Sequence, residues 1–402
     1  MSIRELTIDE FNAFVRNSPL GTHYQTFNYA LLMGENGYEY ELVGMFNEYN
    51  QLKAASLILF KNLKMHYKYG YAPKGFILDY FNQEIVSEFA TLLKSYYKKK
   101  KVVFIKINPE IAISEIDKES GLKTYNWNYN ILEIMEKAGF KKLKDNLYFE
   151  SVLPRFSAVV SLKNYSMNSV SKNTRNKIRR AHHKGLHIEL AEKSGIDILQ
   201  KFIKNKRTIN EYYYKDYYNV FKKDDMIDLF LVSIDSEEFL MNSRELYEKE
   251  LEINNRLVSL LNRENNKRNL NKKMDSDRKI LNYKQDVKFA TELNTKKDKV
   301  YIAGALVIKY QNRVQILMSG YDKKYKRFEA NYYLHDEILK YYQKNYDYAE
   351  LNGLTGDFSK ENPYLGLNEF KIGFNPRIYE YIGEFDLPLN EKKYLKMRSN
   401  GE

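Results

Sequence analysis

The longest uninterrupted helical pattern in the chain runs from about Ser243 to Lys299 and contains no Gly or Pro. Apolar residues recur there at heptad spacing: Leu246, Ile253 and Leu260, with Leu257 and Leu261 beside them, and then Met274 with Leu281 and Ile280 with Val287. A seven-residue apolar repeat is typical of a coiled-coil seam. Because an Asn-rich break at residues 264–269 separates the two segments, the pattern predicts an antiparallel pair of helices that projects as an arm.

On both sides of this arm, short apolar strand patterns alternate with helical ones, which predicts an α/β (α+β) fold. The strand pattern Leu42–Phe46 turns through four residues into a second pattern at 54–58, and Leu231–Ile234 is followed by 302–308 only after the arm. We therefore predict an internal duplication with the arm inserted in a hairpin of the second copy, since insertions at loop tips are well tolerated. Chance similarity between hydrophobic strands is the alternative.

These patterns predict a first domain over residues 1–150, a second over 151–242 and 300–384, and the arm over 243–299. The C-terminal tail, residues 385–402, is expected to pack on the first domain.

The charge pattern favours a polyanionic partner. The 402 residues include 65 Lys and Arg against 53 Asp and Glu, a formal charge of +12. Such an excess suits nucleic acid, an anionic lipid surface or a phosphorylated substrate, although a lysine-rich solvated surface explains it as well. The chain has no Cys, which excludes disulfides, thiolate catalysis and Cys-ligated metal, and with six scattered His no metal site is expected.

Neither a membrane span nor a signal peptide is predicted. No apolar run approaches the roughly 18–20 residues of a transmembrane helix, and the first ten residues lack a basic-then-apolar layout. The expected location is cytoplasmic, with contact at the inner face of the membrane left open.

The strongest local signal for binding is the predicted basic helix over residues 170–184. Six Lys and Arg fall between Lys172 and Lys184 with no acid among them, and Arg175 and Arg179 share a helical face. Cations on one face can neutralise phosphates, so we predict polyanion contact here, with a solvated basic face as the alternative. The pattern does not distinguish RNA from a nucleotide diphosphate or a pyrophosphate-linked lipid.

Two further groups of residues are candidates for ligand contact. Tyr217 belongs to a Tyr cluster at 212–218 that could stack on bases or sugars, or simply pack. Ser319-Gly320, Gly353 and Gly356 follow predicted strands, where Gly permits close approach of a ligand or marks a tight turn. Neither a Walker A sequence nor Gly-x-Gly-x-x-Gly occurs. Possible acids that the pattern leaves unpaired are Asp79, Glu350 and Asp357.

Taken together, the chain resembles the FemA/FemB/FemX (FemABX) family of peptidoglycan interpeptide-bridge aminoacyltransferases, and in particular its staphylococcal type. The motifs that carry the resemblance are His23–Thr26, Tyr71–Tyr80, Asn352–Phe358, Phe370–Asn375 and Glu380–Phe385.

The resemblance implies two tandem GNAT-like (acyl-CoA N-acyltransferase-like) domains, with the coiled-coil arm in the second. It implies transfer of glycine or serine from aminoacyl-tRNA, as co-substrate and without another cofactor, to the stem or bridge peptide of a peptidoglycan precursor. The precursor would be lipid-linked or nucleotide-linked, and homo- or hetero-association with sister transferases is an option.

The same resemblance implies roles for individual residues. Lys371 matches a lysine expected to orient the substrate electrostatically, Arg175, Arg179 and Lys74 are expected to contact substrate phosphates, and Tyr217, Ser319, Gly320, Gly353 and Gly356 are expected to bind substrate. Several positions depart from the family pattern: Met33 replaces a lysine, Lys74-Gly75-Phe76 an Arg-Gly-Pro, Asn108 an acid and Tyr212 an arginine.

These departures keep other functions open. The chain could be a catalytically weak paralogue that binds precursor or a partner transferase, a serine-inserting immunity factor against a bridge-cutting endopeptidase, or an RNA-binding protein. The sequence decides neither the amino acid moved, nor the acceptor position, nor the general base.

Overall fold

The computed structural model describes residues 1–63, 66–148, 150, 153–204, 210, 212–295 and 299–399. The predicted domain boundary at residue 151, part of the arm's end at 296–298, and the last three residues of the predicted tail lie outside the described residues. Within the described chain, α-helices and strands alternate through both halves, as the sequence pattern predicts.

The first half contains nine strands and four helices among the described residues. The strands are β1 (Ser2–Glu5), β2 (Glu39–Phe46), β3 (Leu52–Asn62), β4 (Lys68–Ala72), β5 (Ile77–Leu78), β6 (Val102–Ile107), β7 (Ala112–Ile116), β8 (Lys123–Tyr125) and β9 (Lys141–Lys142). The helices are α1 (Ile8–Arg16), α2 (Phe27–Glu35), α3 (Gln83–Tyr97) and α4 (Ile131–Lys137). A 3₁₀ turn at Trp127–Asn130 leads into α4.

The second half contains eight strands and eight helices in the part that the structure describes. The strands are β10 (Phe156–Ser161), β11 (Leu186–Ala191), β12 (Ile227–Ile234), β13 (Val300–Tyr310), β14 (Arg313–Tyr321), β15 (Tyr348–Leu354), β16 (Arg377–Tyr381) and β17 (Phe385–Pro388). The helices are α5 (Lys172–His182), α6 (Gly195–Ile203), α7 (Tyr213–Lys222), α8 (Ser236–Arg263), α9 (Lys267–Asn294), α10 (Ala330–Tyr342), α11 (Leu365–Ile372) and α12 (Glu391–Ser399).

The two sheets share one strand order. In the first sheet the order is β1-β2-β3-β4-β6-β17-β9, with β5 paired to β3. In the second sheet it is β11-β12-β13-β14-β15-β10-β16-β7-β8. Each sheet has antiparallel strands followed by one parallel pair, β4 with β6 and β14 with β15, which α3 and α10 connect in sequence.

The halves exchange strands. β17, near the end of the chain, pairs with β6 and β9 in the first sheet, and β10, which follows the first half, pairs with β15 and β16 in the second. β7 and β8 also extend the second sheet, by way of β16. Residues 112–125, which the sequence boundaries assign to the first domain, therefore lie in the sheet of the second. Sequence patterning could not reveal this, because it depends on long-range pairing.

A shared core lies between the two sheets. One hydrophobic cluster joins residues of α1, α2, β2 and β3 with residues of α6, α7, β12 and β13. Separate clusters fill the other face of each sheet, under α3 and α4 in the first and under α5 and α10 in the second. The two halves thus bury apolar surface against each other.

The arm consists of α8 and α9, which are 28 residues each and pack side by side in opposite directions. The predicted start at Ser243 is late, because α8 begins at Ser236 with Asp235 accepting hydrogen bonds from the amides of the first turn. The contact between the helices includes polar side chains: Asn254 donates to Ser276 and Asp277, and Lys279 lies 3.5 Å from Glu250.

The predicted apolar seam of the arm is partly wrong. Ile253, Met274 and Leu281 are 45%, 46% and 61% exposed, respectively. The side chains buried between the helices include the polar Glu250 and Ser276. Because polar residues occupy part of the contact, apolar periodicity alone did not locate it, and the coiled-coil heptad stays a prediction.

None of the described helices combines the length and the apolar character that crossing a membrane requires.

Candidate functional site

The second sheet opens where its parallel pair separates. β14 and β15 pair over Arg313–Gln315 and Tyr348–Glu350 and then diverge, while β15 remains paired with β10. The gap is a cleft of about 490 Å³. We call it the splayed cleft; its lining includes Leu317, Ser319, Gly320, Asn352, Gly353, Phe370 and Lys371. Four of the predicted site residues, Lys371, Ser319, Gly320 and Gly353, therefore lie together.

Lys371 reaches the strand edge of this cleft from α11. Its side chain is nearly buried, and its Nζ donates to the carbonyl oxygen of Gly353. An ammonium carries three N–H donors and a fixed positive charge, so it can act on an oxygen that becomes negative beside this carbonyl. Lys371 thus lines the splayed cleft, and its role in orienting a substrate stays a prediction.

An asparagine that sequence reasoning missed bridges the opening. Asn352 has a left-handed backbone (φ 66°), which Asn tolerates better than most residues. Its Nδ2 donates to Leu317 O across the gap at 2.9 Å, and its Oδ1 accepts from Gly353 N at 2.7 Å. The side chain thus links β14 to β15 where the backbone ladder no longer does.

A second missed asparagine fixes the loop after β15 to α11. Asn368 is 1% exposed; its Oδ1 accepts from Thr355 N at 3.0 Å and its Nδ2 donates to Thr355 O at 3.1 Å. Asn368 and Lys371 are three residues apart on one helix face, so the same contact that holds the loop also positions the lysine. The i, i+3 spacing was a usable signal.

Gly353 and Gly356 are required by packing. A Cβ atom on Gly353 would overlap the ring of Pro154, and one on Gly356 would overlap the ring of Phe156. Gly353 lines the splayed cleft, whereas Gly356 bonds its amide to Leu147 O at 2.5 Å and lies outside that lining. The close approach predicted for these glycines is made by neighbouring side chains of the chain itself.

The splayed cleft continues into a smaller basic extension of about 280 Å³ at the start of α10. Tyr321, Asn331, Leu367 and Phe370 line both spaces, and Lys177 and Lys326 line the extension. Lys177 donates to the Tyr332 hydroxyl at 2.8 Å. Because α10 begins without a side-chain cap, the positive end of its dipole adds to these cations.

The predicted cations of α5 are placed differently. Arg179 is exposed, whereas Arg175 is half-buried with its guanidinium directed at Asn168 Oδ1 (3.5 Å) and Val170 O (3.4 Å). Neither lines the splayed cleft or its extension. Glu329, which directly precedes α10 and also lines the extension, lies 3.3 Å from Arg180 and is an acid that the sequence of α5 does not show. From this helix it is Lys177 that faces the cleft.

A larger pocket, of about 710 Å³, lies in the first half. We call it the first-half pocket; its lining includes Phe14, Lys53, Asp79, Phe81, Glu110 and Asn128. Asp79 is exposed, and its Oδ1 accepts from Phe81 N at 3.0 Å. Of the three acids left unpaired by sequence analysis, Asp79 is the one in this wall.

Buried charges join the first-half pocket to the second sheet. Arg313, the first residue of β14, is paired with Glu110, and Lys74 Nζ lies 3.8 Å from the other Glu110 oxygen and 4.4 Å from the Tyr381 ring centre. Burial alone would raise the pKa of Glu110, but Arg313 and Lys74 bring it below its usual value. Lys74, predicted to contact phosphate, is thus 6% exposed and paired internally.

Glu350 lies beside this cluster, on the last residue pair before β14 and β15 diverge. Burial raises the pKa of the Glu350 carboxyl, and the negative charge of Glu110 adds to the increase. Ser157 Oγ donates to it at 2.6 Å. The Glu350 carboxyl at the branching point therefore keeps its proton to a higher pH than an ordinary carboxyl.

Tyr217 is in neither space. It is 1% exposed and stacks on Phe221 with ring centres 4.8 Å apart, inside the core between the sheets. Burial raises its pKa well above the usual value. Its hydroxyl has no hydrogen-bond partner among the described residues. Of the two interpretations of the Tyr cluster, stacking on a ligand or packing in the core, Tyr217 fits packing.

Three of the positions that depart from the family pattern, Met33, Tyr212 and Asn108, lie in different environments. Met33 is buried on α2, and Tyr212 is 58% exposed before α7. Asn108 accepts from the Lys74 amide at 2.9 Å and from the Tyr71 hydroxyl at 3.3 Å. The amide of Asn108 thus holds the ends of β4 and β6 together.

Two groups of side chains in the described chain have donors close enough to hold a metal ion: His182 with Asp336 and Glu337, and His187 with Asp235 and Glu238. Lys340 already lies 2.6 Å from Asp336, and Asp235 caps α8. Neither group lines the splayed cleft or the first-half pocket.

Comparisons with known proteins cover the whole length of the chain. The model of the FemAB family matches residues 6–399. The lipid II:glycine glycyltransferase of Staphylococcus epidermidis is 26% identical over 98% of this chain and 94% of its own length. The aminoacyltransferase FemA of Staphylococcus aureus is 25% identical over 98% of this chain and 97% of its own length. The crystal structure of FemX superimposes with a TM-score of 0.76 at 21% identity and covers 99% of this chain and all of that one, which shows a shared fold.

Proposed function

Because the chain belongs to the FemAB family and is an aminoacyltransferase, we propose that it transfers glycine or serine from aminoacyl-tRNA to the stem or bridge peptide of a peptidoglycan precursor. The product would be part of an interpeptide bridge. The observation that carries the proposal is the splayed cleft, with Lys371 at its wall and a basic extension at one end, separated from a second pocket in the other half.

The splayed cleft is the proposed donor site. The 3′ end of a tRNA carries phosphates next to the aminoacyl ester, and the extension offers Lys177, Lys326 and the start of α10 to them. The ester would then lie in the cleft near Gly353 and Lys371. The phosphate role predicted for Arg175 and Arg179 stays a prediction, with Arg179 at the exposed face that a longer stretch of RNA could reach.

The chemistry is aminolysis of an ester. The acceptor amine attacks the ester carbonyl carbon, the carbonyl oxygen becomes negative in the tetrahedral intermediate, and the intermediate collapses to an amide as the tRNA 3′-terminal ribose oxygen leaves and takes up the proton. Lys371, held against Gly353 O, is proposed to stabilise the negative oxygen, because preorganised positive charge lowers the barrier most where charge develops. Neither a metal nor a cofactor is required for these steps.

The first-half pocket is the proposed acceptor site. One similar protein is named a lipid II:glycine glycyltransferase, so we propose a lipid-linked precursor, with a nucleotide-linked one as the second possibility. Asp79 lies exposed in the wall and could hold an ammonium group before transfer, whereas Glu110 in the same wall is already paired with Arg313 and Lys74. We therefore propose that the protein acts in the cytoplasm at the inner face of the membrane, where both substrates would meet.

We further propose that both halves are GNAT-like domains and that the arm is an antiparallel coiled coil inserted in the second. The shared strand order and the position of the arm between β12 and β13 support this. Deletion of residues 246–293 of the arm, followed by measurement of tRNA affinity, tests whether the arm contributes to tRNA binding. Association with a sister transferase remains a proposal without a surface assigned to it.

The test is reconstitution. Purified protein is incubated with glycyl-tRNA or seryl-tRNA and with lipid- or nucleotide-linked precursors carrying increasing numbers of bridge residues, and the products are weighed by mass spectrometry. Transfer with one tRNA and one acceptor length would identify both substrates. Absence of transfer in every combination would contradict the proposal.

A catalytically weak paralogue is the second candidate, favoured by Met33 and Asn108, whose surroundings are apolar or occupied. It predicts precursor binding without transfer in the same experiment. Transfer of serine in place of glycine would instead favour an immunity factor against a bridge-cutting endopeptidase.

A further inference from the structure

Four exposed aromatic residues either line the first-half pocket or lie within three residues of its Asn128 in the chain. Trp127, the single Trp of the chain, is 82% exposed, with Phe81 at 55%, Tyr125 at 54% and Tyr129 at 49%. We call these four residues the aromatic rim. Scattered exposed apolar residues are ordinary, but three of these rings lie within residues 125–129, beside Asn128 of the pocket wall, and form an exposed aromatic patch there.

The aromatic rim is continuous with the pocket. Phe81 lines the pocket directly, and so does Asn128, which lies between Trp127 and Tyr129 in the 3₁₀ turn. The rings of Tyr125 and Tyr129 contact each other with centres 5.0 Å apart. A surface that covers the aromatic rim therefore also faces the pocket mouth.

The turn that presents Trp127 is firmly attached to the pocket wall. Nδ2 of Asn128 donates to Ala112 O at 2.7 Å, and Nδ2 of Asn126 donates to the same oxygen at 3.0 Å. Asn126 also caps the turn by accepting from Asn128 N at 2.9 Å. Ala112 is part of the pocket wall, so Trp127 is presented at a fixed place on the rim.

Charges near the aromatic rim do not select a polyanion. The pocket wall holds Asp79 and Glu110 against Lys53, and Glu133 on α4 is paired with Lys137 at 2.6 Å. Lys123, on the same strand as Tyr125, is bound to the nearly buried Glu380 at 2.8 Å. The chemistry that fits is therefore amphipathic, with polar atoms at the edge of large apolar rings.

We propose that the aromatic rim docks the protein on a phospholipid surface, with Trp127 and Tyr125 in the interfacial layer and the mouth of the first-half pocket facing the bilayer. Trp and Tyr rings settle at the level of lipid headgroups, where one end of the ring is apolar and the other is hydrated. This inference rests on the proposed function, because a lipid-linked precursor presents its head at that surface. The inference identifies the face of the protein that would receive this precursor.

The single Trp allows a direct test on the unmodified protein. Vesicles of zwitterionic phosphatidylcholine are added while the emission of Trp127 is recorded, and brominated lipids then report its depth. We expect a blue shift and quenching by bromine atoms near the headgroups. Because cations do not dominate the patch, we expect binding to persist when the ionic strength is raised.

Variants separate the rim from the rest of the surface. The double variant Trp127→Ser, Tyr125→Ser should lose on the order of tenfold or more in vesicle affinity by sedimentation, because two large apolar groups are removed from the contact. Tyr49→Ser, which removes a ring 75% exposed in the β2–β3 turn, is the matched control and should bind like the unmodified protein.

Several outcomes would overturn the inference: unchanged Trp emission with vesicles, equal loss for the Tyr49 variant, a blue shift caused by a soluble precursor head without vesicles, or a shift that follows protein concentration alone. The first-half pocket is tested separately, by comparing transfer to vesicle-embedded and to water-soluble acceptors. If the Trp127→Ser, Tyr125→Ser variant loses transfer to vesicle-embedded acceptors but keeps transfer to water-soluble ones, the result supports docking. Vesicle binding through Trp127 in a protein that transfers nothing would leave docking standing and contradict the proposed function.

Discussion

The parallel strand pairs of the two sheets end in different ways. β4 remains paired with β6 from Lys68 to Ala72, whereas β14 separates from β15 after three residue pairs. In the first sheet, Asn108 accepts from the Lys74 amide at 2.9 Å and closes the end of the pair. In the second sheet, only the side chain of Asn352 crosses between the separated strands, with its Nδ2 2.9 Å from Leu317 O, and a cleft remains around it. The two halves share one strand order, but only the second has a cleft at the end of its parallel pair.

The first half fills the corresponding region with its own side chains. Gln25 is fully buried; its Nε2 donates to Pro73 O at 2.8 Å and Leu57 O at 3.3 Å, and its Oε1 accepts from Leu57 N at 2.8 Å. These bonds tie β3 to the loop that follows β4. The first-half pocket therefore lies elsewhere, beside α1 and Asp79, and the halves offer different sites despite their common order.

The largest expected effect comes from removing the positive charge of Lys371 at the splayed cleft, where β14 and β15 separate. Lys371→Met should lower the rate of transfer by on the order of 10²–10³-fold, because a preorganised charge beside the developing oxyanion is lost. Single-turnover transfer measures it. Lys360→Met, which changes an exposed lysine of the preceding loop, is the control and should keep full activity. Equal rates for both variants would show that the cleft does not act through Lys371.

Breaking the closed region should affect stability before activity. Gln25→Ala leaves buried partners on Leu57 and Pro73 unsatisfied and is expected to lower the free energy of unfolding by about 2–4 kcal/mol. Urea unfolding followed by circular dichroism measures the loss. Gln285→Ala, on the exposed face of α9, should change it little. An unchanged urea midpoint for Gln25→Ala would mean that the first half does not depend on this closure.

A smaller effect is expected at the bridge across the cleft. Asn352→Gly keeps a residue suited to the left-handed backbone and removes the amide that reaches Leu317 O, so it isolates the bridge. We expect a loss of about 1 kcal/mol in unfolding free energy and a several-fold slower transfer. Asn50→Gly, at a left-handed position in the exposed β2–β3 turn, is the matched control. If Asn352→Gly and Asn50→Gly have the same effects, the hydrogen bond from Asn352 to Leu317 O does not support the cleft.

The smallest expected effect is a pH dependence at Glu350. Because its pKa is raised by burial and by Glu110, the folded protein keeps a proton that the unfolded chain has released at the same pH. The stability contributed by this group therefore falls as pH rises from the ordinary carboxyl pKa to the raised one.

Glu350→Gln keeps an uncharged acceptor for Ser157 and removes the titration. Its unfolding free energy relative to the unmodified protein should increase as the pH rises above the ordinary carboxyl pKa, because only the unmodified protein loses the contribution of the Glu350 proton. Urea unfolding at several pH values checks this, with the exposed Glu361→Gln as control. If the difference in unfolding free energy between the variant and the unmodified protein does not vary with pH, the titration of Glu350 does not contribute to stability.

The sequence predicted the strand pairs and the arm because both are local patterns. Leu42–Phe46 and Leu231–Ile234 lie within observed strands, and absence of Gly and Pro marked the long helices. The entry of β7 and β8 into the second sheet was beyond prediction, since their partner β16 lies in the other half. The tail was expected on the first domain, but the pairing of its strand β17 with β6 and β9 was not predicted. Within the arm, the polar contact of Asn254 with Asp277 lies between the helices, where apolar periodicity gives no signal.

Of the predicted site residues, Lys371 and Gly353 belong to family motifs, Ser319 and Gly320 were singled out after a predicted strand, and all four line the splayed cleft. Sequence reasoning did not find Lys177 and Lys326 at the cleft extension, because their position depends on how α5 and α10 pack. It treated Lys74 as a free cation, yet Glu110 and Tyr381, distant in sequence, surround it. Contacts between separate elements, which no local spacing encodes, account for each of these differences.

The reciprocal exchange of strands has a consequence for how the protein is made. β9 enters the first sheet by pairing with β17, and β17 also covers the free edge of β6. On the ribosome, where the chain appears from its N-terminus at about 5–20 residues per second, that edge therefore stays uncovered until almost the entire polypeptide has emerged. A nascent first half carries an unpaired strand edge through synthesis of the second half and the arm, so we expect a premature stop before residue 385 to yield an aggregation-prone product rather than a stable single domain.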